Sequence, residues 1–445
     1  MLFRSQAAAA PAAPAVRDSL PSYESEELQE RVRIAEAKAQ KAIAAARAAS
    51  AGLTVNPADI AAIESGLVVP SFDKPKGTNW GLVVGALVIG AVAMFGVTKF
   101  VLKSDATGSS GQPAAATDEA ISAWVKALGG TTETSGGHVV AVNLSSTAVS
   151  DAQLANLTSL RGLKKLELQV TQIADPGLSE VAQLTGLEEL NLSNTTVSDT
   201  GLAKLAPLGR LRTLKLAGTL VEGKGFAQLK GLQALSEIDL SNSHLDDAGL
   251  AEIGGITGLI SLRMGYVEIS DAGLANLARL TKLEKLDLTS TDITDAGLKQ
   301  VAALSGLREL YLNHARFTDE GLAELRPLRQ LERIEMFRTR ATSAGATSLA
   351  ELKNLKVIKL DYTSVDDKGI ESLKALPELR ELSLDSTGVT DKGAQALQSI
   401  HSLKALNLYH TSVTEKGLQD LKAALPECKV VFDRDSSLPN RRSKQ

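Results

Sequence analysis

Only one cysteine, Cys428, occurs in 445 residues. No intrachain disulfide and no multi-cysteine metal site is therefore available. Aromatic residues make up 3% of the chain, fewer than a globular enzyme of this length packs into its core. Stacked layers of small aliphatic side chains need none. Neither sign of charge dominates: the net charge is −4, with acids and bases interspersed, which excludes a broad nucleic-acid footprint. There is no Gly-rich phosphate loop, no nucleophile elbow and no H-E-x-x-H run. These absences predict a protein that is not an enzyme and holds no cofactor or metal. Cys428 reads as a small apolar filler.

What is present begins with an Ala/Pro-rich stretch to about residue 23, read as disordered. A helical pattern follows from Glu24 to about Ala49, with Leu28, Val32, Ala35, Ala39 and Ile43 on one stripe. A weak coiled coil and a solvated single helix both fit it. Asn56, Pro57 and Gly66 mark a short second helix. Residues 80–102 then form one long apolar run, uncharged from Trp80 to Thr98 and flanked by Lys74, Lys76, Lys99 and Lys103. Its length suits one transmembrane helix. It lies too far from the start for a signal peptide. The lysines flanking the run are balanced, but residues 1–79 carry seven further Arg and Lys. That favours a single-pass protein with a cytoplasmic N-terminus and an extracytoplasmic remainder. Gly81/Gly85 and Ala86/Gly90 would allow homodimerisation through this helix. Residues 103–116 read as a linker, and residues 117–138 as a capping helix with Ile121, Trp124, Val125 and Leu128, followed by a lead-in to what comes next.

From Val139 to Pro426 the sequence repeats every 24 residues, twelve times, without insertion or deletion. A representative unit is LEKLDLTSTDITDAGLKQVAALSG, Leu283 to Gly306. The opening L-x-x-L-x-L predicts a short strand with alternate residues inward. Thr or Ser follows in ten of the twelve units, placed for a buried hydroxyl to bond turning backbone. Thr294-Asp295-Ala296-Gly297 predicts a helix start, with either polar side chain as cap. Nine of the twelve units carry this Asp. Leu298, Val301 and Leu304 form the inward stripe of the helix. No unit buries its apolar face alone, so the units must stack. At about 5 Å per strand, twelve units predict a strand face roughly 50–60 Å long. Val430 and Phe432 fall where a thirteenth strand would turn inward, closing residues 427–445 as a C-terminal cap and tail.

The pattern LxxLxLxxTxITDxGL resembles leucine-rich repeats of the bacterial Thr-Asp-x-Gly-Leu type, which are related to ribonuclease-inhibitor-like repeats. Leu128-Gly-Gly followed by His138 to Leu144 resembles the lead-in of such domains in membrane-anchored bacterial proteins. The resemblance implies an α/β solenoid, a horseshoe with a parallel concave sheet and convex helices, here joined to one transmembrane helix. It also implies recognition of a protein or peptide, and no chemistry.

Two units break the pattern. The fourth has Val221-Glu-Gly-Lys-Gly225 in place of the Thr-Asp pair; the ninth has Thr342-Ser343, with Ala341 and Ala346 for larger residues. Drift, a local change of curvature and a local docking site each account for them. The outward strand positions and the residues after each strand are small or polar in the first five units. From the sixth they include Tyr266, Tyr311, His314, Phe337, Arg338, Tyr362, Tyr409 and His410, with four of the five tyrosines. Tyr and Arg anchor many binding surfaces, although aromatics also suit half-exposed strand positions. These eight residues are the candidate binding site on the concave face. The leading expectation is a membrane-anchored binding scaffold. The alternative is a single-pass sensor that couples the repeats to a cytoplasmic partner through residues 1–79.

Overall fold

The structure, a computed structural model, describes residues 117–433. The expected N-terminal helices, membrane span and linker lie outside the described residues. Among the described residues no helix is long and apolar enough to cross a membrane.

A capping helix, Asp118–Ala127, opens the described chain; Thr117 caps it, and its own Ile121 and Val125 are buried. Thr131–Ser135 and His138–Asn143 then form an antiparallel hairpin. Its turn is Gly136-Gly137, both with positive φ, as primed hairpin turns require. The first of these strands has no counterpart in the sequence expectations, because T-T-E-T-S lacks an apolar alternation. Asp118 ties helix to hairpin by accepting the Val139 N–H at 2.7 Å.

Fourteen strands form one sheet in sequence order. All pairings after the first are parallel, ending with Ala405–Asn407 beside Lys429–Val431. The register follows the sequence period: Leu166 pairs with Leu190, and Leu190 with Leu214. Each repeat after the first therefore contributes a three-residue strand with its central Leu or Ile inward, and neighbouring layers superpose. Leu166, Leu190, Leu214, Leu286 and Leu310 are all 0–1% exposed. Parallel strands require a crossover. Here it is one short helix per repeat on the far side, such as Asp295–Val301. The expected helix is in places a 3-10 turn, as at Asp151–Leu157 and Lys224–Gln228. At the C-terminal end Val430 and Phe432 pack against the core.

The buried hydroxyls bond turning backbone, as the sequence predicts, and do so within their own repeat. Thr147, Thr195, Thr291 and Thr363 donate to the carbonyl three residues earlier in their own repeat, at 2.6–2.7 Å. The unit that follows is not involved. The chain leaves the sheet at this point, so the inward leucine just past each strand turns its carbonyl into the bend, and the hydroxyl satisfies it there.

The recurrent Asp also behaves differently. The helix cap is the preceding Thr or Ser, as with Thr294 and Thr318. The Asp instead reaches the next repeat. Asp295 accepts the Thr318 N–H at 2.7 Å on one oxygen and the Thr318 hydroxyl at 2.9 Å on the other. Asp175 with Ser198, Asp271 with Thr294 and Asp391 with Thr414 repeat the arrangement. The following Gly is the space this carboxylate needs: a Cβ on Gly321 would stand 2.4 Å from Asp295 Oδ1. The first repeat, with no unit before it, confirms the logic. It has Gln153 in place of the Gly, and Gln153 Oε1 accepts the Ser150 N–H at 2.9 Å. Thr-Asp-x-Gly is thus an inter-repeat staple.

Both irregular repeats preserve the join by other means. In the ninth, Ser343 replaces Asp and the tenth repeat presents Asp366 in place of Thr. Ser343 Oγ donates to Asp366 Oδ1 at 2.6 Å and accepts the Asp366 N–H at 3.0 Å. Donor and acceptor have exchanged sides. In the fourth, Asp199 collects the N–H groups of Glu222, Gly223 and Gly225 at 2.6–3.0 Å. At the next join the Asp246 N–H donates to the Glu222 carbonyl at 3.3 Å, Lys224 lies 3.8 Å from the Asp246 carboxylate, and a Cβ on Gly249 would lie 1.9 Å from the Glu222 carbonyl oxygen. The missing volume at Ala341 stands one repeat after Phe317 at the same position, and both are 0% exposed. A ring in one layer thus adjoins a methyl in the next.

Candidate binding surface

Just past every strand the chain turns off the sheet through one residue with positive φ. In the first five repeats these are Ser146, Val170, Asn194, Gly218 and Asn242, mostly residue types that tolerate the left-handed region. From the sixth on they are Tyr266, Ser290, His314, Arg338, Tyr362, Ser386 and His410, with φ between 51° and 61°. The conformation is imposed by the stack, because the N–H groups of this row, from Ser146 to Ser386, donate to the next repeat: Tyr266 to the Thr289 carbonyl at 2.8 Å, Arg338 to that of Asp361 at 3.0 Å. A bulky residue held there costs on the order of 1 kcal/mol relative to Gly or Asn.

Five of the eight candidate residues occupy this row: Tyr266, His314, Arg338, Tyr362 and His410. Phe337 and Tyr409 precede two of them. Only Tyr311 lies on a strand, Glu309–Tyr311. The expected site on the concave face is therefore mainly a row along the edge where the strands end.

The structure brings four of the eight together. The Phe337 ring packs edge-on against His314 and Tyr362, each at 5.1 Å between centroids, the geometry aromatic quadrupoles favour. The Arg338 guanidinium carbon lies 5.2 Å from the Phe337 centroid and 4.9 Å from that of Tyr362, within cation–π range. Burial, with Arg338 nearby, holds the His314 imidazole below its usual pKa. Tyr409 and His410 form a second pair, 3.9 Å apart, and His410 Nδ1 lies 3.2 Å from Asp385 Oδ1. Tyr266 stands apart and is 50% exposed.

Tyr311 belongs to a polar group on the strand face. Its hydroxyl donates to Glu309 at 2.7 Å, and Lys285 Nζ reaches Glu309 at 2.8 Å while lying 5.0 Å over the Tyr311 ring. Burial, then the Glu309 carboxylate, pushes the Tyr311 phenol up. Burial would raise Glu309 as well, but bonds from Lys285 and Tyr311 outweigh it and hold the carboxyl low. Elsewhere on this face charges are paired, as Arg263 with Asp239 and Arg333 with Glu335. The first repeats line a polar cleft of about 360 Å³ that includes Lys165, Glu167, Gln169 and Asn191. Sequence reasoning passed over it, since none of these residue types stands out singly. Burial raises the Cys428 thiol, which suits a filler. Among the described residues no His, Cys, Asp and Glu cluster is arranged to hold a metal.

Residues 183–206, 279–302 and 376–397 match a leucine-rich-repeat family model. The described chain has the fold of a leucine-rich-repeat solenoid. Among solved structures it is similar to an internalin of Listeria monocytogenes, InlF, at 22% identity over 71% of this chain and 94% of that one, with a TM-score of 0.53. That likeness is one of fold. A leucine-rich-repeat protein of Leptospira interrogans matches at 17% identity over 62% of this chain and 80% of that one, TM-score 0.45. A second Listeria internalin, InlC2, matches at 25% identity over 59% and 92%, TM-score 0.34. No curated protein matches the sequence. Leucine-rich repeats are scaffolds typical of protein–protein interaction, and the row at the strand ends is where this one departs from its own repeat.

Proposed function

We propose that the protein is a membrane-anchored, non-enzymatic binding scaffold whose partner docks along the strand-end row of repeats six to twelve. One observation carries the reading. At the position where repeats three to five have Asn, Gly and Asn, five of the seven later repeats hold Tyr, His or Arg in the same left-handed backbone, which Val170 alone of the larger side chains shares in the earlier repeats. Strain retained at specific residues points to function. Residues 80–102 would supply the anchor, with the repeats extracytoplasmic.

The test is a photo-crosslinking amino acid placed at Tyr362 or Tyr266, against the same group at Val170, which has the same backbone position in the second repeat. The reading expects one common partner protein captured from intact cells at Tyr362 and Tyr266 and not at Val170. Equal capture at all three, or at Val170 alone, contradicts it.

A further inference from the structure

Arg338 is unusual among the cations of this surface. Arg308, Arg333, Lys356 and Lys359 each reach a carboxylate on a neighbouring repeat or their own strand. Among the described residues Arg338 makes no ion pair, and its side chain is exposed. Its charge is nevertheless held in place by the Phe337 and Tyr362 faces. A guanidinium stacked on rings keeps its N–H edge free, and that edge matches a carboxylate with two parallel hydrogen bonds. The row also limits how much negative charge can be accepted. Asp361 and Asp385 lie in the next two repeats, with Asp361 held by Ser383 and by the Asp385 N–H. Asp361 is buried, so a chain of anions running along the row would meet the partly exposed Asp385; a single anion flanked by apolar groups would meet rings.

We infer that Arg338, clamped between Phe337 and Tyr362, anchors one carboxylate of a partner protein segment that is otherwise apolar. This rests on the binding reading above and specifies the partner's chemistry. A nucleic acid strand, which would also stack on the rings, is disfavoured by Asp385 on the same row.

The test uses the full chain in detergent and fluorescence anisotropy with a labelled acetyl-Leu-Glu-Leu-Phe amide. Controls are the same peptide with Gln for Glu and a labelled oligothymidine. The inference expects the Glu peptide to bind at least about tenfold more tightly than the Gln peptide. Arg338→Gln should abolish that preference, and Arg338→Lys, which keeps the charge but loses the planar fork, should recover only part of it. Arg263→Gln, at a paired arginine elsewhere on the sheet, should leave it unchanged. Circular dichroism of each variant checks the fold. Equal binding of both peptides, no peptide binding, or tighter binding of the oligothymidine overturns the carboxylate anchor. If capture at Tyr362 persists in that case, the binding reading stands without it; if capture also fails, both fall.

Discussion

Asp247 accepts the Ser270 N–H of the next repeat at 2.8 Å, and the same carboxylate oxygen lies 2.1 Å from where a Cβ on Gly273 would stand. The bond and the vacancy are one device, so their losses should not add. Asp247→Ala removes two hydrogen bonds to a charged acceptor and is expected to cost about 2 kcal/mol. Gly273→Ala should cost a similar amount by collision. In the double variant the collision is largely gone, since the remaining neighbour is the Asp247 Cβ at 3.3 Å. A double-mutant cycle by urea unfolding should show coupling of about 1 kcal/mol or more. Additive losses would mean that the Gly serves some other purpose.

The exchanged pair Ser343 and Asp366 gives a second test. Ser343→Asp alone sets two carboxylates against each other, and Asp366→Thr alone sets two hydroxyls together. The double variant restores the arrangement of the other repeats and should recover most of the stability lost by Ser343→Asp. The Ser343 hydroxyl is the main cause holding the Asp366 carboxyl below its usual range. A depressed folded pKa stabilises above the unfolded value and is lost as pH falls through the folded one. Acid unfolding below about pH 4 should therefore begin at higher pH in Ser343→Ala than in the native chain.

Tyr311 titrates above an ordinary phenol, through burial first and Glu309 second. Ultraviolet titration of Glu309→Gln should move it part of the way back. A raised folded pKa stabilises below the unfolded value and is lost as pH rises through the folded one, so this contribution fades above about pH 10. An unchanged titration in Glu309→Gln would leave burial as the whole cause.

The stacked architecture was legible because each apolar position recurs at a fixed interval, and Leu166, Leu190 and Leu214 take the same place in successive layers. The Thr-Asp-x-Gly motif was visible, but its role was not. A sequence shows Asp295 two residues from Gly297, whereas the bond that matters joins Asp295 to Thr318, one repeat on. The aromatic enrichment was visible too. What the sequence hid was the backbone: Tyr266 and Tyr362 look like half-exposed strand residues, and only the φ values place them in a turn where Asn or Gly would sit more easily. The hairpin strand Thr131–Ser135 was hidden for the opposite reason, since its residues are almost all exposed and leave no apolar period.

If the strand-end row is kept for binding at a cost to stability, Tyr266→Asn exposes the trade most directly. Tyr266 has the same backbone position as Asn242 and is half exposed, so the substitution should leave the urea midpoint unchanged or raise stability by up to about 1 kcal/mol. It should also reduce capture of the crosslinked partner at Tyr362. A clear loss of stability with capture unaffected would contradict the account and make Tyr266 a packing residue.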